Sequence, residues 1–351
     1  MKKRIVICSD GTWNKPEEDL NKDFPTNVLK ISRAIKPIAK DGTPQQVFYD
    51  WGVGADYGAI SGGITGKGVL KNVVDGYRYI VQNYNEGDEI YLFGFSRGAY
   101  TMRALSGLIN NCGILKREDA KLINMAFKHY KTRGKAYSPS GEKSIEFRKK
   151  YSHKSRDIKF MGLWDTVGAM GIPITFLGSF SEKDEFYDTK IGKNVKNARH
   201  ALAIDELRAD FEPTFWREGD KNKVKQVWFA GVHSDIGGSY KPDKKGLSIA
   251  ENSLNWMIKE VEKIGLEVES HLKDKIKINI AKTPLAEKHN SRTKFFRLKQ
   301  KYYRNLEDSG EKVLIHESVK IRYEKDESYR PKNLEEYLKK SKGWKNIILE
   351  K

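Results

Sequence analysis

At 351 residues the chain has room for one large α/β domain or two small ones, and 38% hydrophobic content with a mean hydropathy of −0.67 points to a soluble globular protein with a heavily polar surface. No window approaches the ~18 uninterrupted apolar residues of a membrane span, and two cysteines, Cys8 and Cys112, are too few for a disulfide framework. The 65 Lys and Arg against 47 Asp and Glu leave a net charge of +18, which is spread evenly enough to read as solvated helix faces, yet suits peripheral contact with an anionic membrane surface; no specific nucleic-acid partner is expected.

The N-terminal Met1-Lys-Lys-Arg-Ile-Val-Ile-Cys-Ser-Asp10 has the positive charge of a signal peptide, but its apolar run ends after four residues and no small-residue cleavage site follows. It reads as a strand over residues 4–9. Sec export is therefore not expected, which leaves a cytoplasmic protein or one exported by a signal-peptide-independent route. Thr26 caps a short helix with Val28, Ile31 and Ile35 on one face. Residues 46–49 form a second strand, and the spacing of Val69, Val73, Tyr77, Ile80, Val81 and Tyr84 predicts a helix before a third strand at 89–95. A helix over 99–111 follows, closed by Gly113 in the left-handed conformation. Further strands are expected at 158–164 and 225–230, and His200 falls in a helical pattern.

Strands alternating with helices imply an α/β-hydrolase-like, mainly parallel sheet with helices on both faces. The expected organisation is a catalytic domain over 1–266, with an insertion at 116–156 that forms a lid, and a lysine-rich C-terminal extension over 267–351 packed on the same domain. In such sheets ligands bind beyond the carboxyl ends of the strands. Asp10, Ser96, Asp165 and His233 all fall within a few residues of such ends.

Gly94-Phe95-Ser96-Arg97-Gly98 fits G-x-S-x-G between a strand and a helix, the context a nucleophile elbow requires. A serine hydroxyl needs a base to take its proton. Of the seven histidines only His233 follows a core strand, in Gly231-Val-His-Ser-Asp-Ile-Gly-Gly238. Asp165, after the apolar run 160–164, is the carboxylate that would orient it, giving the chain order Ser, Asp, His. Asp235 is the alternative acid, and Asp10 a supporting one. The oxyanion would be met by the N–H of Arg97 and by amides of Gly11 or Thr12 in Ser9-Asp-Gly-Thr-Trp-Asn14, unless that stretch is only an Asx-turn ending the strand. Gly62-Gly-Ile-Thr-Gly-Lys-Gly68 lacks the first glycine, the Ser or Thr and the preceding strand of a phosphate loop, and Gly52-Val-Gly54 lacks a third glycine.

These residues resemble the DUF2235 family, the α/β-hydrolase domain of Tle1-type phospholipase effectors of type VI secretion. The resemblance is collinear through Asp10-Gly-Thr-Trp-Asn14, Gly94-Phe-Ser-Arg-Gly-Ala99, Leu163-Trp-Asp-Thr-Val-Gly-Ala169, Ala198-Arg-His-Ala-Leu-Ala-Ile-Asp-Glu206 and Val227-Trp-Phe-Ala-Gly-Val-His-Ser-Asp-Ile-Gly-Gly238, with weaker blocks at Asn255-Trp-Met257 and Ile315-His-Glu-Ser-Val319. It implies a Ser96, Asp165, His233 triad and ester hydrolysis, in some members of phospholipids, with no metal or other cofactor. Two other readings stand beside it. Asp10, Asp165, His233 and Asp235 could form the metal cluster of a metal-dependent hydrolase, or the fold could serve as a binding scaffold without turnover.

Overall fold

A computed structural model describes residues 2–11, 14–52, 66–167, 191–216 and 223–351. Six of the strands are β1 (Arg4–Ser9), β2 (Gln45–Asp50), β3 (Glu89–Phe95), β4 (Phe160–Trp164), β5 (Ala198–Ala203) and β6 (Val224–Phe229). The C-terminal part adds β7 (Leu314–His316) and β8 (Ile348–Glu350). All pair in parallel in one eight-stranded sheet of order β2-β1-β3-β4-β5-β6-β7-β8. The 267–351 segment thus completes the sheet at one edge.

Strand alternation distributes the core to two faces. Ile5, Ile7, Ile90 and Leu92 point to the face covered by α2 (Gly66–Asn83) and α3 (Arg97–Cys112). Val6, Cys8, Tyr91 and Phe93 point to the other, under α1 (Asn27–Ala34), α7 (Ala250–Glu262) and α8 (Ser270–Asn279). A third cluster joins Leu202 and Trp228 to Val319 of α9 (Glu317–Lys325) and Leu334 of α10 (Lys332–Lys340). Thr26 caps α1 as its sequence predicts, its side chain accepting from the Leu29 N–H, and Gly113 ends α3 at φ 75°.

His200 departs from its expected helix. It lies fully buried in β5, paired in parallel with β4 on one side and β6 on the other, so the backbone hydrogen bonds of this stretch go to the sheet. The 116–156 insertion carries α4 (Ile123–Lys131) and α5 (Glu142–Tyr151). Ser144 donates to Asn111 Oδ1 at 2.6 Å and Arg148 to the Asn111 carbonyl at 2.6 Å, which anchors the insertion at the C-terminal end of α3. At 1.5 Å rise per residue that end is roughly 22 Å from Ser96.

Candidate active site

The strand order reverses between β1 and β3, and the crevice beyond their carboxyl ends is where the site assembles. β3 leads straight into Ser96, which stands before α3 with φ 57° and ψ −120°. This is a left-handed backbone that a side chain occupies only under tertiary constraint. Two glycines supply that constraint. A methyl at Gly98 would lie 2.0 Å from the Ser9 carbonyl oxygen, and one at Gly94 would lie 2.5 Å from that of Gly98. The start of α3 therefore rests directly on the end of β1. The Ser96 N–H donates to the Trp164 carbonyl at 3.0 Å, tying the turn to β4.

Asp165 follows β4, also at positive φ, 38°, and is completely buried. Its two oxygens accept four hydrogen bonds, close to a carboxylate's full capacity. The donors are His233 Nδ1 at 2.6 Å, the Ala203 N–H at 3.0 Å, and Arg304 Nη1 and Nη2 at 2.7 and 3.0 Å. Burial alone would raise its pKa, but the Arg304 charge and then the His233 bond outweigh burial and hold it well below the usual carboxylate range.

His233 opens α6 (His233–Gly237), just beyond β6 and the Gly231 turn at φ 119°. Since Asp165 is ionised, His233 Nδ1 carries the proton it donates, which makes Nε2 the ring nitrogen with the lone pair. The imidazole packs on Phe95, the residue before Ser96, at 4.6 Å between centroids, and edge-on to Phe211 at 4.9 Å. Burial lowers its pKa; Asp165 opposes that, Arg208 adds to it and Glu206 subtracts, and the net shift is downward. The site therefore holds a neutral imidazole at neutral pH.

Glu206 sits beneath this histidine, completely buried, where it accepts the His233 N–H at 3.2 Å, Arg208 Nε at 2.9 Å and the Ser291 hydroxyl at 2.9 Å. Arg304, Arg208 and Phe211 escaped the sequence reading, and Glu206 entered it only as part of a motif block. Glu206, Arg208 and Phe211 follow β5, which was itself unrecognised. Arg304 lies in Tyr-Tyr-Arg-Asn, within a lysine-rich stretch that offers no periodic signal.

Asp235 does not reach the His233 imidazole. Its oxygens accept from the Val232 and His289 N–H groups at 3.0 and 3.1 Å and from His289 Nδ1 at 2.7 Å, so it braces the turn. Asp10 is likewise engaged elsewhere, by Thr26 Oγ1 at 2.6 Å and Tyr49 OH at 2.8 Å, and burial pushes its pKa up to about 6. Of the four residues of the alternative metal cluster, Asp165 and His233 therefore pair with each other while Asp10 and Asp235 serve separate partners, and among the described residues no three His, Cys, Asp or Glu converge as metal ligands.

The oxyanion assignment needs one correction. Gly11 does lie against Ser96, since a methyl on it would sit 3.1 Å from Ser96 Cβ, but its N–H donates to Asp10 Oδ1 at 2.9 Å. That bond to the preceding side chain occupies the Gly11 amide. The Arg97 N–H lies in the first turn of α3, where a helix supplies no acceptor of its own. Thr12 lies outside the described residues, as does most of the glycine-rich stretch before α2. A cavity of about 840 Å³ beside the second half of α3 is lined by Arg103, Asn110, Arg148, Arg156 and Trp216 among others, and none of Ser96, Asp165 and His233 borders it.

Several known proteins are similar to this chain. The uncharacterized protein YEL023C of Saccharomyces cerevisiae is 27% identical over 233 residues, covering 60% of this chain and 32% of its own length. A crystal structure of an uncharacterized protein from Pseudomonas aeruginosa superposes with a TM-score of 0.49 and 17% identity, over 79% of this chain and 48% of that one. The Tle1 effector bound to the VgrG spike of the type 6 secretion system gives 0.43 and 19%, over 69% and 52%. The chain thus spans about a third of the curated relative and about half of each structure. Residues 3–260 match the catalytic domain of the Tle1-like phospholipase effectors of the T6SS, and the chain belongs to that family.

Proposed function

We propose that the chain is a serine hydrolase that cleaves acyl esters, with phospholipids as the substrate class, through a covalent acyl-enzyme on Ser96. The observation that carries this reading is the Asp165–His233 bond, at 2.6 Å, whose imidazole packs against the strand end that presents Ser96 in a strained turn. Membership of a phospholipase effector family supports the substrate class.

In this mechanism Ser96 Oγ attacks the ester carbonyl carbon while His233 Nε2 takes its proton. Charge developing on the carbonyl oxygen is met by the Arg97 N–H. The tetrahedral adduct collapses, the carbon–oxygen bond to the alcohol breaks, and His233 returns its proton to the departing alkoxide. Water then attacks the acyl group, giving its proton to His233, and release of the carboxylic acid restores the Ser96 hydroxyl. Asp165 keeps its charge throughout and fixes the imidazole tautomer.

A net charge of +18 favours peripheral binding to anionic bilayers, where such a substrate is found. Among the described residues no helix is long and apolar enough to cross a membrane. Export as an effector belongs to the same proposal. We read the 116–156 insertion as a buttress of α3 rather than a lid, given its anchorage at the far end of that helix.

Fluorophosphonate labelling of wild type, Ser96→Ala and His233→Ala, followed by a screen of p-nitrophenyl esters and phospholipids, tests the proposal. Labelling is expected in wild type alone. Equal labelling of Ser96→Ala would remove Ser96 from its role.

A further inference from the structure

The triad carboxylate is shared between a guanidinium and an imidazole. In the proposed mechanism Asp165 serves His233, yet the fully buried Arg304 grips both of its oxygens, and Arg304 arrives from a segment beyond the 3–260 stretch that matches the family's catalytic domain. Arg304 is itself over-determined. Nη1 also donates to the Ala203 carbonyl at 2.8 Å and Nη2 to the Phe211 carbonyl at 2.6 Å, while Asn333 of α10 holds the Arg304 carbonyl at 3.1 Å. Neighbouring contacts strap the same segment to the loop after β5. The Tyr302 N–H donates to the Leu207 carbonyl at 3.0 Å, Arg208 and Lys301 form an antiparallel bridge, and Ser291 bonds Glu206.

We propose that Arg304 is a positioning residue of the triad, which fixes Asp165 as an anion shared between guanidinium and imidazole and so makes the strength of the catalytic base depend on the C-terminal segment. This rests on the serine-hydrolase reading above. A carboxylate that faces an imidazole alone stabilises the imidazolium fully. One already paired with a guanidinium stabilises it less, and the guanidinium repels the imidazolium through the same low-dielectric interior. Arg304 therefore weakens His233 as a base while holding it in place, and favours the neutral imidazole that can accept the serine proton in mildly acidic surroundings. The other charges facing His233 are Glu206 and Arg208, paired with each other after β5. Asp235, on its own helix, is bound to His289, and Asp10 is bound to Thr26 and Tyr49.

The test is the pH dependence of the labelling rate by a fluorophosphonate probe, which reports the base without requiring the natural substrate. Wild type, Arg304→Lys, Arg304→Met and Asn333→Ala are compared on the full chain, with near-UV circular dichroism to select variants that retain their fold. Arg304→Met is expected to move the acid limb up by about one pH unit. Arg304→Lys, which keeps the charge but loses the two-pronged grip, should leave the limb near its wild-type position while slowing labelling several-fold. Asn333→Ala loosens the strap without touching the charge, so it should lower thermal stability and leave the limb unmoved.

If Arg304→Met does not fold, the lysine variant still decides. A limb shifted upward with the charge retained, or a labelling rate equal to wild type, overturns the proposal. A folded Arg304→Met with an unmoved limb overturns it too. Failure of the underlying reading shows differently, as labelling that survives Ser96→Ala.

Discussion

On the Ser96 side of the site the geometry is made by exclusion of atoms, whereas on the His233 side, that of the proposed base, it is made by charge. Gly94 and Gly98 leave no room for a β-carbon, so β1, β3 and α3 meet closely and Ser96 is held in a backbone conformation it would not choose. Around His233 the work falls to Asp165, Glu206, Arg208 and Arg304, buried ionic groups drawn from three separate stretches of chain. The first kind of site is local and steric. The second is long-range, and each of its charges is tolerable only because the others are present. The two sides should therefore fail in different ways.

The largest effect belongs to Ser96, the proposed nucleophile. Ser96→Ala should lower esterase activity by roughly 10⁴-fold or more while leaving the fold intact, because alanine needs no hydrogen-bond partner and only a hydroxyl is lost. Activity assays alongside thermal melts check both halves of that statement. Next comes the choice of acid. Asp165→Asn should reduce activity by about 10⁴-fold through the wrong imidazole tautomer, and it should also cost the fold about 3 kcal/mol or more by stranding the Arg304 cation. Asp235→Asn, which touches only the turn and His289, should stay within about tenfold of wild type, an effect of the size expected from disturbing a bracing contact rather than the chemistry. Equal losses in the two variants would remove the distinction between acid and brace.

That contrast also explains what the sequence disclosed. A nucleophile elbow is written in five consecutive residues, since the glycines and the serine must be adjacent for the turn to exist, and β1, β3, α1 and α3 were legible from apolar spacing and capping. Asp165 and His233 could be located by strand ends and chain order. β5 was missed because its central His200 and flanking Arg199 interrupt the apolar run. In the fold His200 is a satisfied core residue: Nε2 accepts the Thr166 N–H at 3.0 Å, Nδ1 faces Gln226 Oε1, and burial takes its pKa down to about 3. Arg304 was invisible for a deeper reason. Its partner lies 139 residues away, and nothing local in the sequence distinguishes it from the other lysines and arginines around it.

The steric side breaks in stability before it breaks in chemistry. Gly98→Ala places a methyl 2.0 Å from the Ser9 carbonyl, a backbone atom that cannot swing aside, so β1 and α3 must separate. The expected cost is about 3 kcal/mol or more, read by urea denaturation as a fall in midpoint at unchanged slope. Gly87→Ala is the control: it lies at φ 94° with nothing within 4 Å of the added methyl, so it suffers only backbone strain, about 1 kcal/mol. Similar losses at both positions would mean that contact at the elbow contributes little.

The smallest effect probes charge at the rim of the base's side. His289 Nδ1 bonds Asp235 at 2.7 Å under the stacked ring of Tyr240, and the Asp235 bond raises the His289 pKa above its ordinary ~6.5, against burial. A histidine whose pKa is higher folded than unfolded binds its proton more tightly in the native state. Its contribution is fully present below the unfolded pKa and disappears as pH rises through the folded one. Because the ring is partly exposed, solvent screening keeps that contribution below about 1 kcal/mol. Wild type should therefore melt above His289→Gln at pH 5.5, with the gap narrowing by pH 8.5. A gap that is constant across that range would show that the pair holds the turn as a neutral hydrogen bond, which would leave the buried Asp165–Arg304 pair to carry the charge dependence of this side of the site.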